Sequence, residues 1–176
     1  FLPKTSSYFG ISHNQIQPLF DYTFVNDGKS YTDYNITAVQ LAFQWNPFSN
    51  YMQTPMGKIE YEKRHPKFSL QFTQTLPGVL ENDFAFSKID FKTFYELPYL
   101  SGQKSSVLLQ TGIAFGDVPI THLYSIVPNN LNREAILQRV TFAGKNSFET
   151  MYFNEFFSNQ YASLQLKHTF NKIRLG

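Results

Sequence analysis

Ala38-Val39-Gln40-Leu41-Ala42-Phe43-Gln44-Trp45 alternates with a period of two: Val39, Leu41, Phe43 and Trp45 are apolar, and Ala38, Gln40, Ala42 and Gln44 are small or uncharged. Successive side chains of a strand point to opposite faces, so this period predicts a strand with one apolar and one mildly polar face. The mild face matters. A soluble sandwich turns its apolar face inward and dresses the other with charge. Gln, Ser, Thr, Ala and Gly suit instead a crowded, wet barrel lumen, with Phe, Leu and Val turned to lipid.

Working outward, the same phase recurs. Phe68, Leu70 and Phe72 oppose Lys67, Ser69, Gln71 and Thr73; Ile89, Phe91, Tyr95 and Leu97 oppose Lys88, Asp90, Lys92 and Glu96. Val107, Leu109, Ile113 and Phe115 oppose Ser106, Gln110, Gly112, Ala114 and Gly116. Ala162, Leu164, Leu166 and Phe170 oppose Tyr161, Ser163, Gln165, Lys167 and Thr169. Looser versions cover 15–25 and 148–157. The segments approach the roughly 9–11 residues a tilted strand needs to cross a bilayer. Residues 98–104 make a compact turn, whereas 46–66, 75–87 and 117–134 are longer connections with Pro, Asn, Asp and Gly punctuation.

Composition agrees. Aromatic residues make up 18% of the chain and charged residues 16%, the latter against roughly a quarter in soluble proteins. Many amphipathic rings with few charges suit a membrane barrel with aromatic belts. Tyr22, Phe24, Tyr31, Tyr34, Trp45, Phe48, Tyr51, Tyr95, Tyr99, Tyr152 and Tyr161, near expected strand ends, are assigned to such belts. The net charge of +2 is too small to recruit nucleic acid. The absence of cysteine excludes disulfides and thiolate metal sites. No apolar run is long enough for a transmembrane helix. Phe1-Leu2-Pro3-Lys4 is neither a signal peptide nor an initiator sequence, so a mature or truncated segment is expected.

The expected fold is therefore all-β: one domain over 1–176 with no internal boundary, forming part of a transmembrane antiparallel β-barrel. About seven strands would leave edges unpaired in lipid, so the chain is expected to be about half of a larger barrel. The lipid-facing set is Val39, Leu41, Phe43, Phe68, Leu70, Phe72, Ile89, Phe91, Val107, Leu109, Ile113, Phe115, Leu164, Leu166 and Phe170. The alternative is a soluble β-sandwich or lipocalin-like binder.

Several segments, in order and spacing, carry a resemblance. These are Ser49-Asn50-Tyr51-Met52-Gln53-Thr54-Pro55-Met56-Gly57-Lys58, the strand from Pro66 to Gln74, and Gly78-Val79-Leu80-Glu81-Asn82-Asp83-Phe84. Gly112-Ile113-Ala114-Phe115-Gly116-Asp117-Val118-Pro119 and Asn154 to Leu164 complete the set. Over about residues 36 to 174 the chain resembles an uncharacterised Bacteroidetes-type outer-membrane family with a carboxypeptidase-regulatory-like domain ahead of a barrel. That family is distantly similar to the BamA/TamA surface-antigen barrels. The resemblance implies an N-terminal periplasmic domain and further strands. It also implies that Gly116-Asp117-Val118-Pro119 is a strand end leading to a long luminal loop. In the related barrels that loop carries an Arg-Gly-aromatic signature; here neither Arg133 nor Arg139 is followed by Gly and an aromatic. A polar contact of Glu155 with Arg133 or Arg139 inside the lumen would echo how those barrels pin their loop.

No catalytic constellation stands out. His13, His65, His122 and His168 are scattered without metal-ligand spacing. Asp90 and Glu96, on a strand, are read as lumen-lining charge rather than a hydrolytic pair with Asp83. Glu60, Glu62, Lys63 and Arg64 are read as a solvated loop rather than a lipid-headgroup site. No elbow serine or nucleotide-binding loop occurs. The expectation is a non-enzymatic, cofactor-free barrel in the outer membrane of a Gram-negative bacterium, structural or supporting assembly and transport. Its expected partners are outer-membrane lipid, lipopolysaccharide and other outer-membrane or periplasmic proteins, and not nucleic acid. A BamA/TamA-like insertase or translocation pore is the alternative.

Overall fold

In the computed structural model, which describes residues 4–17, 23–26, 28–125 and 157–171, the alternation becomes strands. In chain order these are β1 (Thr5–Ile16), β2 (Phe24–Asn26), β3 (Lys29–Tyr31), β4 (Tyr34–Trp45), β5 (Asn50–Thr54), β6 (Gly57–Glu62) and β7 (Lys67–Thr75). They continue with β8 (Phe86–Pro98), β9 (Lys104–Gly116), β10 (Tyr124–Ser125), β11 (Phe157–Ser158) and β12 (Gln160–Thr169). A single 3-10 turn, Ile120–His122, precedes β10, and the described residues contain no α-helix.

Six strands pair into one antiparallel sheet in the order β1-β4-β7-β8-β9-β12, leaving outside it the β2–β3 and β5–β6 hairpins and the short β10–β11 pair. The sheet is an up-and-down meander whose neighbours follow each other along the chain. Among the described residues it is open, with β1 and β12 as its edges. Its strands run 9 to 13 residues, against about 5–6 in ordinary globular sheets. The strand ends are staggered: Trp45, at the end of β4, is carried by the register through Phe68, Thr93 and Leu109 to Leu164, and β12 runs on to Thr169.

Two expectations need correction. Residues 15–25 are not one strand. β1 occupies Thr5–Ile16 instead, and pairs along its whole length with β4. The stretch 46–66 is not simply a loop, since it folds into the β5–β6 hairpin around Pro55-Met56, closed by the left-handed Gly57 (φ 124). The expected strand at 148–157 lies outside the described residues apart from Phe157.

Burial is concentrated at one end of the sheet. Tyr34, Ile36, Phe84 and Phe86 form a core on which Ile16, Tyr31 and Val118 pack. Burying Ile36, Phe84 and Phe86 contributes roughly 1.5–3 kcal/mol each. The 76–85 connection delivers Phe84 to this core. Its Asn82 accepts the Thr37 amide at 3.1 Å and donates to the Phe84 carbonyl at 2.8 Å. Thr75, fully buried, bonds both ways to Phe86: it accepts the amide at 2.7 Å and donates to the carbonyl at 3.0 Å.

Candidate functional site

The cross-strand register decides which side chains share a face. Leu41 lies opposite Phe9 on one side and Phe72 on the other. Phe72 pairs with Ile89, and Ile89 with Ile113. The neighbouring rows join Phe43, Leu70 and Phe91, then Trp45, Phe68, Leu109 and Leu164 with Thr93 between them, then Tyr95, Val107 and Leu166. Val39 and Phe115 continue the same face toward the core end. The strand residues assigned to lipid thus fall on one continuous face, and Phe170 follows directly after β12, its ring 4.4 Å from that of His168. β1 adds Phe9 and Ile11 to this face, beyond the expected set. This face is open: Leu41 is 49% exposed, Phe72 36%, Ile89 39% and Leu164 58%.

The opposite face is polar, and it is where the sheet's hydrophobic residues are buried. The buried hydrophobic residues of the sheet, Tyr34, Ile36, Ala38, Phe86, Leu108 and Ala114, all have this parity. A cavity of about 420 Å³ runs over it, touched by Ser6 and Tyr8 of β1, Gln71 and Asp90 in the middle, and Gln110 and Tyr161 at the far side. A flat sheet would hold its first and sixth strands about 24 Å apart. One groove touched by the first and the sixth strand fits a sheet that curls toward its polar face.

The segment after β9 is seated on the same face. Gly116 adopts φ 92, and a side chain there would collide with the Ala85 carbonyl. Asp117 donates its amide to that carbonyl at 3.0 Å, Val118 packs on the core and Pro119 is buried. Thr121 shares a hydrogen bond with Tyr34 at 2.8 Å. Lys88 donates to the His122 carbonyl at 2.9 Å and stands 4.1 Å over the Tyr124 ring. Gly112 makes the seat possible. A Cβ there would come within 2.5 Å of Tyr161 and 2.7 Å of Tyr124, whose rings lie 4.7 Å apart.

The remaining candidates are dispersed. Asp90 and Glu96 share the polar face but stand about 20 Å apart along β8, and Asp83 sits in the connection, accepting the Asn35 amide at 2.8 Å. The charge run is paired within the hairpin region: Lys67 holds Glu60 at 2.7 Å and Arg64 holds Glu62 at 2.7 Å. Burial raises the Glu60 carboxyl, but hydrogen bonds from Lys67 and Ser49 outweigh this and leave it below its ordinary value. His122 is half-buried, and burial with the nearby Lys88 lowers its imidazole to about 4. His168 meets Ser105 at 2.8 Å and His13 meets Thr37 at 2.9 Å. No group of three metal-ligating side chains occurs among the described residues. Of the belt aromatics, Trp45, Tyr95 and Tyr99 are exposed near one end of the apolar face, whereas Tyr31 and Tyr34 belong to the core and Tyr161 to the polar face. Arg133, Arg139 and Glu155, with Tyr22 and Tyr152, lie outside the described residues.

The chain belongs to a family of unknown function, DUF5686, whose C-terminal domain matches residues 6–175. No curated protein and no solved structure matches it.

Proposed function

We propose that this DUF5686 C-terminal domain forms part of the wall of an outer-membrane β-barrel, with its large apolar face against lipid and its polar face lining the lumen. One observation carries the reading: the sheet buries its hydrophobic residues on the polar face, while all six strands expose large apolar side chains on the other. In water that arrangement leaves a wide apolar surface wet, a state soluble monomers avoid. In lipid it costs nothing.

The stagger supports the same reading. Between β1 and β12 the strand ends slip by about one to 1.4 residues per strand, which at ~3.3 Å rise and ~4.8 Å spacing tilts the strands by about 35–45°. Closed barrels need such a tilt. A strand of 12 residues, such as β4, then spans about 30 Å, enough for the ~25 Å apolar band of an outer-membrane barrel. Further strands would close the open edges, which lipid does not tolerate. The domain acts as a structural or interaction barrel with lipid and lipopolysaccharide around it, and no catalytic step is assigned to it.

Heat-modifiability tests this. The full-length protein should partition with the detergent-extracted outer-membrane fraction and run faster on a gel unboiled than boiled. A soluble periplasmic protein with no mobility shift overturns the reading.

A further inference from the structure

The β5–β6 hairpin projects beyond the Trp45 end of the sheet, with both of its faces exposed toward the tip. Its orientation follows from two contacts at its base. Asn46, in line with Gln44 of the polar face, donates to the Tyr51 hydroxyl at 2.9 Å. Glu60, paired with Tyr51 across the hairpin, binds Lys67, which belongs to the polar face as well. Tyr51 and Glu60 therefore mark the polar side. The adjacent cross-strand pair, Met52 and Ile59, points the other way and prolongs the apolar face past the end of β4. Met52 and Ile59 are each about half exposed, and Met56 at the tip is 99% exposed.

Because the main strands already cover the ~25 Å apolar band, this extension emerges where acyl chains give way to headgroups. Its composition fits that boundary. Lys58, Lys63 and Arg64, the last held by Glu62, outnumber Glu60 and Glu62 over seven residues, and the exposed Tyr61 adds an amphipathic ring. Cations and tyrosines favour the phosphate-bearing interface, and methionine and isoleucine the acyl side of it.

We infer that the β5–β6 hairpin is an interfacial paddle: its Met52–Ile59 side and Met56 tip lie in the headgroup–acyl boundary of a phospholipid leaflet, beside the barrel wall. This rests on the lipid-facing reading above, and the chain's single Trp, Trp45, separates the two. The full-length protein is reconstituted in phosphatidylcholine–phosphatidylglycerol vesicles with or without lipids brominated at shallow or deep chain positions. Trp45 is read as the emission lost in Trp45→Phe, and the hairpin as the emission gained in Met56→Trp and, separately, Met52→Trp. Both introduced indoles should be quenched by shallow bromines about as strongly as Trp45, less by deep ones, and should be shifted to the blue. If Trp45 is quenched and neither hairpin indole is, the paddle is wrong and the wall stands. If Trp45 is not quenched either, both fall. Retention of the heat-dependent gel shift shows that each variant has folded.

Discussion

Replacing Leu41 by Arg is the most direct perturbation of the apolar face. Leu41 sits within one row formed by Phe9, Leu41, Phe72, Ile89 and Ile113, four residues inward from Trp45. At ~3.3 Å per residue and about 40° of tilt that is about 10 Å below the strand end, well inside the apolar band. An Arg on a barrel's lipid face costs about 2–4 kcal/mol at the midplane and about 0–1 kcal/mol near the interfaces. Leu41→Arg should therefore cost about 2–3 kcal/mol, a fall of roughly 30- to 150-fold in the folding equilibrium. Phe43→Arg should cost less, and Trp45→Arg about 1 kcal/mol or less. The adjacent Gln40→Arg turns to the polar face and should stay within about 0.5 kcal/mol of the parent. The assay is denaturant unfolding of the full-length protein in vesicles, scoring the folded fraction by gel mobility. Equal costs at 40 and 41, or no decline from 41 to 45, would refute the assignment of lipid to this face.

Three further outcomes follow from the packing. Gly112→Val would push a side chain into Tyr161 and Tyr124, an overpacking that costs about 1–3 kcal/mol and should expose the 117–125 segment to protease. Thr75→Val keeps the shape but strips the Phe86 amide of its acceptor, costing about 1–3 kcal/mol, read as a lower temperature for loss of the folded gel band. His122 should confer pH sensitivity: burial and Lys88 lower it from 6.5 to about 4, so the folded protein keeps it neutral while the unfolded chain takes up a proton below 6.5. Its seat is thus fully stable at pH 7 and weakens steadily between pH 6.5 and 4. Cleavage near the segment should rise over that window and lose its pH dependence in His122→Asn.

Five of the six sheet strands are legible in the sequence, because a period of two is local and Leu41, Phe72, Ile89, Leu109 and Leu164 keep their phase without help. β1 is not. Its apolar contribution is Phe9 and Ile11, while Tyr8 of the opposite face is as large as either, so the contrast between faces vanishes. The hairpin over 46–66 shows its turn, Pro55-Met56-Gly57, but its arms are short and of mixed character. The sequence by itself determines the β class, the alternation and the identity of the large apolar set. What only the tertiary structure decides is which distant residues meet. Tyr34 looks like a belt aromatic until Phe84 and Phe86 close over it. Gly112 looks like a lumen spacer until two tyrosine rings fill its place. Gly116-Asp117-Val118-Pro119 is the strand end the resemblance implies, but only the structure shows its backbone held against Ala85. These are contacts between elements tens of residues apart, and side-chain alternation carries no information about them: register and chain reversal set the partners, and burial follows from the partners.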